Sequence, residues 1–308
     1  MKHNTHIYIA RKAMEFLYDS LAKVKTPSGN NVSSNKKKAL RRQAKVLQRL
    51  LFYHRDHVTE ASWAPDDILK DMAHYHTFKL FTDGEFGDAA NFAKQTFTDN
   101  GDNYYRASGS GGLPFKVDHL GKIIANLIKL RDHNDSYSMQ QLMYLLLLIS
   151  HYVADANVPM HCDIRDDKPS DKKPAEGNYY STKWHGKIES LWDKAATPVG
   201  LREGLIDIQR AQDNTELTDY SDSITFDVDN SADVKKIKTY AVPRNKLMDF
   251  MVELCIKTKK RSLVLFPPEN PDPDNNEDYE AKLRELTPKI FADAIGSVIS
   301  IWMCIWAE

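Results

Sequence analysis

Cysteine is scarce in this chain, and no export signal is visible at its start. The three cysteines, Cys162, Cys255 and Cys304, include no CxxC pair. They therefore provide neither a disulfide framework nor a CxxC redox or zinc motif. The first residues, Met1 to His6, contain no apolar run of the signal-peptide type. A low, odd cysteine count without such a signal is typical of a reducing compartment, so a cytoplasmic location is predicted.

Long apolar runs and an excess of one charge are also missing. The longest apolar stretches, residues 142–149 and 294–307, fall short of the about 20 residues that a membrane-spanning helix needs, so no transmembrane segment is predicted. The formal net charge is −1, which excludes a strong global field for nucleic acid or anionic membranes. Residues 109–112 are not followed by Lys and Ser or Thr, so a Walker-type nucleotide loop is excluded.

Apolar residues do recur with helical spacing along most of the chain. We predict a first helix that begins at His6 and further helices over residues 36–54, 117–130, 139–157, 183–195, 234–262 and 278–306. Segments rich in proline, glycine or polar residues are predicted as turns and loops: 27–31, 99–114, 163–181 and 267–277, with 62–67 as a loop or a helix start. Because no strand ladder, repeat or interdomain linker is visible, residues 1–308 are predicted to form one all-α, multi-helix domain.

The main chemical signal is a histidine and an aspartate four residues apart, His151 and Asp155, which share one face of a predicted helix. The same face continues backwards through Leu147, so two ionisable groups end an apolar stripe. A buried carboxylate needs a cation or a full set of hydrogen bonds, and this helix has no Lys or Arg within a turn or two. A metal ion is one candidate, with His161 turned back beyond Pro159. A packed histidine and a capping aspartate are the alternative.

His185 and Glu189 repeat this spacing on a second short helix. Two histidines and a carboxylate are a common zinc set that leaves a position open for water, and His161 would complete such a set. The alternative is an ordinary surface helix, because Lys187 and Lys194 indicate that part of it is exposed. Both interpretations stay open on the motif alone.

Two further groups gain meaning only from their place in the chain. His6 lies where the first helix is predicted to begin, and Asp66 and Asp67 are followed by His74 and His76. Aspartates at a helix start are usually caps. Taken alone, these residues would therefore be assigned structural roles.

The order of the candidate residues resembles that of the superfamily of zinc-dependent phospholipases C and single-strand-specific zinc nucleases. The ordered set is His6, Asp66, His76, His151, Asp155, His161, His185 and Glu189. HYVADANVPMH is its most specific piece, THIYIARKAMEF resembles the first helix of the family, and SWAPDD resembles its aspartate loop. The resemblance extends from His6 to Asp193, so it leaves the last third of the chain uncovered.

This resemblance implies an all-α protein that binds up to three zinc ions and hydrolyses phosphate esters. Two of the metals would be bridged by Asp155. The first would also take Asp66, His76 and His151, the second His6 and the amino-terminal residue Met1, and the third His161, His185 and Glu189. His74 and Asp67 are close enough in sequence to replace His76 or Asp66 in this assignment.

The amino terminus departs from the family pattern. The family's ligand there is typically a tryptophan freed by removal of a signal peptide, whereas this chain begins Met1-Lys2. A bulky second residue generally keeps the initiator methionine in place, so Met1 would offer its backbone amino and carbonyl groups. The alternatives are that His3 substitutes, or that this metal is weakly bound or absent.

The predicted activity is zinc-dependent hydrolysis of phosphodiesters, with Asp66 as a base or orienting group, as the resemblance implies. A phospholipid head group is placed ahead of single-stranded nucleic acid, because the nucleases usually carry aspartate where this chain has Glu189. The segment with Tyr104, Tyr105 and Arg106 is expected either to close over the site or to be a plain surface loop.

Other functions remain as alternatives. One is a single-strand-specific nuclease of the same superfamily. Another is a non-catalytic metal-binding relative, and a third is an unrelated helical protein whose histidines lie in the core. Cys162 adjoins His161 and has no second histidine assigned as its base, so it is not expected to be a nucleophile.

Overall fold

The computed structural model of the chain describes residues 1–85, 93–107, 109–130, 135–166, 179–180, 182–202, 228, 231–232 and 234–307. Numbered in chain order, the α-helices of this part are α1 His3–Ser20, α2 Ser34–Tyr53, α3 Val58–Asp67, α4 Leu113–Leu130, α5 Ser136–Asp155, α6 Thr182–Arg202, α7 Leu247–Leu265 and α8 Tyr279–Trp306. Short 3-10 turns join several of them. Helices thus dominate the described residues, which confirms the predicted all-α class.

The first helix lies at the centre of the packing. It contacts α2, α3, α5, α6 and α8, and its apolar residues Ile9, Ala10, Ala13 and Leu17 are fully buried. α3 also packs on α5. Because α1, α3, α5 and α6 meet in this way, polar residues near their ends can come together at one place.

Helix α5 is capped at its start and buried along its second half. The carboxylate of Asp135 caps it by accepting the backbone N–H groups of Tyr137 at 3.1 Å and Ser138 at 3.2 Å. Its second half, from Leu146 to Asp155, is buried at every position. Burial of each large apolar side chain in this stretch contributes roughly 1.5–3 kcal/mol, so this half is firmly held.

A small sheet corrects the predicted loop over residues 99–114. Strands β2 Ala93–Asp99 and β3 Asp102–Ala107 form a hairpin, and β1 Leu80–Thr82 pairs with the other edge of β3, giving the antiparallel order β1-β3-β2. The hairpin turn is Asn100-Gly101, whose φ angles are 52° and 92°. Two positive φ angles are what a two-residue hairpin turn of this kind requires, so the Asn-Gly pair was a usable signal.

The predicted helix over residues 234–262 is also corrected, because α7 begins only at Leu247. Pro243 has no backbone N–H to donate and is extended, with φ −66° and ψ 143°. Before it, the N–H of Lys25 donates to the carbonyl of Thr239 at 3.1 Å, and the N–H of Ala241 donates to the carbonyl of Lys25 at 2.8 Å. This pairing with a distant segment replaces helical hydrogen bonds that local periodicity favoured.

The segment 62–67 forms the end of α3 rather than a loop or a helix start. Pro65 lies inside this helix, and Asp66 and Asp67 close it. The aspartates therefore cannot act as N-terminal caps of α3. Their place at its end, where α3 packs on α5, brings Asp66 toward His151.

By length and composition, α8 is the helix among the described residues that is apolar enough to cross a membrane. In its most apolar stretch, 89% of the residues are buried inside the structure. It packs against α1, α2, α4, α5 and α7. α8 is therefore the core helix of this fold.

Candidate metal centre

The start of α1 is fixed by a carboxylate from another helix. Lys2 provides no side-chain cap for α1. Instead, Asp193 on α6 accepts the backbone N–H groups of Asn4 at 2.6 Å and Thr5 at 3.2 Å. These are two of the N–H groups that a helix start leaves without intrahelical partners. Asp193 thereby positions the helix end that carries Met1 and His6.

The tautomer of His151 follows from its hydrogen bond to α3. Its Nδ1 lies 2.9 Å from the backbone carbonyl of Ser62. A carbonyl only accepts, so in the neutral ring Nδ1 carries the proton and Nε2 keeps the lone pair that could bind a metal ion. That Nε2 lies 3.3 Å from Asp155 Oδ2 and 3.5 Å from Asp66 Oδ1. A histidine whose second nitrogen is held by a carbonyl in this way is the usual arrangement of a metal ligand.

The first cluster joins Asp66, His76, His151 and Asp155. His76 Nδ1 is 2.8 Å from Asp155 Oδ2, 3.1 Å from His151 Nε2 and 3.6 Å from Asp66 Oδ1. Ligands of a tetrahedral zinc ion at roughly 2.0 Å would be about 3.3 Å apart. The atoms of this cluster therefore have the spacing that one four-coordinate ion requires.

The second cluster lies on the opposite oxygen of Asp155. Its Oδ1 is 3.1 Å from the amino nitrogen of Met1 and 3.5 Å from His6 Nε2. The same His6 nitrogen is 3.2 Å from the carbonyl oxygen of Met1. The two oxygens of Asp155 thus face two different ligand groups, as a bridging carboxylate would.

The third cluster consists of His161, His185 and Glu189. Glu189 Oε1 is 3.4 Å from His161 Nε2 and 3.1 Å from His185 Nε2. His185 Nδ1 is held by Asp166 Oδ2 at 2.9 Å, and the buried ammonium of Lys79 donates to the same oxygen at 2.9 Å. A carboxylate behind a histidine fixes its ring orientation and makes it a better ligand.

These contacts separate the alternatives that the sequence left open. His76 belongs to the first cluster. His74 does not, and its ring lies against Gly112. Asp66 belongs to that cluster as well, and Asp67 does not. The ring of His3 lies against Trp63, with centroids 5.0 Å apart, while the amino group of Met1 reaches Asp155.

Burial and mutual charge shift the pKa values of the centre strongly. Burial disfavours the Met1 ammonium, but Asp155 and Glu189 outweigh burial and raise its pKa to about 11. Burial also opposes the charged form of His151, but Asp155 outweighs it and raises that pKa to about 9. Burial opposes ionisation of Asp155, yet the Met1 ammonium and His151 hold its pKa well below the usual range. The carboxylates thus hold protons on groups that must release them to bind a metal ion.

The donor set fits divalent metal ions on these observations. Three groups of His, Asp and Glu, two of which share His151, each bring ligand atoms within 4.8 Å of one another: His6, His151 and Asp155; Asp66, His76 and His151; and His161, His185 and Glu189. Asp66, His76 and Asp155, together with all three residues of the third cluster, line a cavity of about 660 Å³. Asp66 has the most accessible carboxylate of the set, with 31% of its side chain exposed against 1% for Asp155.

Three residues of this neighbourhood were not predicted from the sequence. They are Asp166 and Lys79, which hold His185, and Asp193, which holds the start of α1. Asp193 lies four residues after Glu189 on the same helix, so helical spacing alone placed it on that face. Asp166 and Lys79 lie 19 and 106 residues before His185, and no local pattern indicates their contacts.

The segment with Tyr104, Tyr105 and Arg106 lies in the sheet and not over the site. Tyr104 and Tyr105 belong to β3 and are 2% and 7% exposed. The guanidinium of Arg106 donates to Gln95 at 2.7 Å and to the carbonyl of Gly111 at 2.5 Å. These side chains are committed to packing, so neither closure over the site nor a plain surface loop describes them.

Fold and site together define a mostly helical protein with three clusters that could hold metal ions. No family model matches the chain, and no curated protein matches it. Among solved structures, the chain is similar to the alpha-toxin of Clostridium perfringens isolated from avian strain SWCP, with a TM-score of 0.47 and 14% sequence identity. The alignment covers 99% of this chain and 64% of that chain, so this chain spans less than two thirds of its length.

Proposed function

We propose that this protein is a zinc-dependent phosphodiester hydrolase of the phospholipase C type. The observation that carries the proposal is the placement of two ligand groups on the two oxygens of Asp155, with a third group beside them. Two metal ions about 3.5–4 Å apart are the usual device for displacement at phosphorus. A centre built only to stabilise the fold would have no need of clusters that open into a large cavity.

The residues of the chain divide into those that hold ions and those that handle water and protons. Met1, His6, Asp66, His76, His151, Asp155, His161, His185 and Glu189 would hold up to three zinc ions. When bound, the zinc ions would act as Lewis acids toward the phosphodiester. The carboxylate of Asp66 is the most accessible of the set, so it would orient the attacking water and accept its proton.

Two observations favour a phospholipid head group over single-stranded nucleic acid as the substrate. The phospholipases that the sequence resembles carry glutamate at the position of Glu189 in the third cluster. Among the described residues, the cavity wall also carries the carboxylates Asp71 and Asp166 beside the ligands, and Lys79 is paired with Asp166. A nucleic-acid site would require unpaired Lys or Arg along a phosphate track.

A second candidate is a metal-binding protein without catalytic activity. The observation that favours it is the amino terminus, because the ammonium of Met1 lies 3.1 Å from Asp155 and 2.7 Å from Glu189 and so occupies the carboxylates that a second metal ion would need. If that ammonium is not displaced, the second metal does not bind. Loss of one ion of the bridged pair would leave a metal protein with little turnover.

The test combines metal analysis with three parallel assays. Protein purified without chelator is expected to contain up to three zinc ions and to hydrolyse bis-p-nitrophenyl phosphate and phosphatidylcholine faster than single-stranded DNA. Hydrolysis of DNA alone would reverse the substrate order. Three bound zinc ions with no hydrolysis of any substrate would support the non-catalytic alternative, and absence of any stoichiometric metal would reject both.

A further inference from the structure

A short segment beside the metal cavity exposes apolar side chains. Ile68, Leu69 and Met72 are 53%, 53% and 62% exposed, and we call these three residues the apolar rim. Single exposed apolar residues are common on proteins, but three within five positions are a local concentration. The rim therefore needs an explanation beyond the ordinary composition of a protein surface.

The backbone of the rim is held in place. The N–H of Leu69 donates to the carbonyl of Ala64 at 2.8 Å, and the N–H of Asp71 donates to the carbonyl of Pro65 at 2.8 Å. Lys70 between them has φ 47°, a conformation that residues with a Cβ atom rarely adopt. The structure thus keeps the apolar side chains outward despite a cost in backbone strain and hydration.

The carboxylate of Asp71 adds a second anchor to this segment. It accepts a hydrogen bond from the hydroxyl of Tyr152, and the ammonium of Lys116 lies 2.9 Å from it. Tyr152 lies on α5 next to His151, so the rim and the metal centre share one rigid support. A surface that is fixed before contact loses little entropy when it binds.

The rim is continuous in sequence with residues that line the metal cavity. Asp66 before it, Asp71 within it, and Ala73 and His74 after it all line that cavity. Anything that covers the apolar rim is therefore brought against the opening that leads to Asp66 and His76. This continuity of surface limits the occupant to something that also presents a group to the metal site.

We propose that the apolar rim docks on the surface of an aggregated phosphodiester lipid and presents a head group to the cavity. Aliphatic and thioether side chains beside one exposed lysine, Lys70, suit an interface where acyl chains meet charged head groups. The proposal rests on the proposed function for the reaction that follows docking. The docking itself does not require catalysis.

Two other occupants fit the rim less well. Single-stranded nucleic acid binds through aromatic stacking and free cations, whereas the rim is aliphatic and the ammonium of Lys116 is engaged with Asp71. A second copy of this chain would cover the rim and with it the mouth of the cavity. The arrangement would then block the site rather than serve it.

The experiment measures binding to vesicles separately from hydrolysis. Sedimentation with phosphatidylcholine vesicles, with and without phosphatidylserine, is compared for the natural chain, Leu69→Ser and Leu130→Ser. Leu130 is the matched control, because it is 82% exposed and ends α4. Leu69→Ser is expected to weaken vesicle binding by about tenfold or more, and Leu130→Ser is expected to leave binding unchanged.

Further arms sharpen the test. Lys70→Gln should weaken binding only to vesicles that contain phosphatidylserine, because a single ammonium acts through charge. Leu69→Ser should also lower the ratio of vesicle hydrolysis to hydrolysis of soluble bis-p-nitrophenyl phosphate by about tenfold, in line with lost docking. Circular dichroism spectra equal to that of the natural chain show that each variant is folded.

Several outcomes would overturn the docking proposal. Equal vesicle binding by Leu69→Ser, Leu130→Ser and the natural chain would reject it. A dimer that becomes a monomer in Leu69→Ser would assign the rim to a second copy, and lost binding to single-stranded DNA would assign it to nucleic acid. Vesicle binding that depends on Leu69 in a protein that hydrolyses no phosphodiester would instead reject the proposed function and retain the docking surface.

Discussion

Two buried groups of charged residues in this protein differ in how their charges are balanced. One is the metal centre described above. The other, which we call the ion cluster, consists of Glu85, Asp163, Arg165 and Lys259, whose side chains are all buried. Both lie within the same fold, so their difference shows which buried charges a protein can satisfy with its own side chains.

The ion cluster contains two acids and two bases in direct contact. Arg165 lies 2.6 Å from Glu85 and 2.7 Å from Asp163, and the ammonium of Lys259 lies 2.5 Å from Glu85 and 2.7 Å from Asp163. Burial opposes ionisation of Asp163, but Lys259 and Arg165 outweigh it and hold its pKa far below the usual range. The formal charges cancel, as buried charges require.

The metal centre is balanced in a different way, because its cations are the Met1 ammonium and protonated imidazoles, whose protons a metal ion could replace. Asp66, Asp155 and Glu189 bring three carboxylates together with several imidazoles, and the amino group of Met1 is a cation that the structure places against two of them. Imidazole nitrogens face the carboxylates at 3.3–3.5 Å in several places, which is long for hydrogen bonds. Such a cluster is suited to cations from outside the chain.

The largest effect is expected for Asp155→Asn, which removes the carboxylate that faces both ligand groups of the proposed metal pair. Loss of a residue that only supports a metal ligand lowers activity by about 10–100-fold. Asp155→Asn should lower phosphodiester hydrolysis by more than this, and the protein should lose two zinc ions. Zinc content and hydrolysis of bis-p-nitrophenyl phosphate measure this. Asp67→Asn is the control, because Asp67 adjoins Asp66 but lies outside the clusters. Retention of all zinc by Asp155→Asn would contradict the bridging role.

The next effect concerns the ion cluster. Lys259→Met should lower the free energy of unfolding by about 3–5 kcal/mol, because it leaves Glu85 and Asp163 with one cation fewer. Zinc content of the folded variant should not change. Denaturant unfolding measures this against Lys260→Met, whose lysine is more exposed and lies 2.8 Å from Asp99, and which should cost about 0–1 kcal/mol. Equal losses of unfolding free energy for the two variants would show that the balance of buried charges does not contribute to stability.

A smaller effect is expected for Asp166→Asn, which weakens the support of His185 without removing a ligand. Zinc affinity of the third cluster should fall by about 10–100-fold, while the pair around Asp155 keeps its ions. Zinc titration with a competing chelator measures this. Glu189→Ala is the companion variant, because it removes a ligand of the same cluster and should reduce zinc further. A loss of all three ions in Asp166→Asn would indicate a collapse of the whole centre instead.

The smallest effect is expected for Cys162→Ser, although Cys162 adjoins His161. The thiol is fully buried, and its Sγ donates to the carbonyl of Ala156 at 3.6 Å. It is therefore not presented to a substrate, and hydrolysis should be retained. Steady-state assays with zinc analysis check this. A loss of about a hundredfold with zinc intact would require a different mechanism.

The sequence alone determined the features that depend on short-range geometry. His151 with Asp155, and His185 with Glu189, are four residues apart, and a helix of 3.6 residues per turn places such pairs on one face wherever it lies. Most helices were predicted for the same reason. The Asn100-Gly101 hairpin is equally local, because an Asn-Gly pair adopts the two positive φ angles of a two-residue turn.

Only the tertiary structure decided which separate segments meet. Asp166 and Lys79 support His185 through contacts that no spacing rule encodes, and helical spacing places Asp193 on the face of Glu189 but not against the start of α1. Whether His76 or His74 joins the first cluster likewise depended on how the segment after α3 packs against α5. Local periodicity sets which side chains share a helix face, but the burial of several faces against one another sets which faces meet.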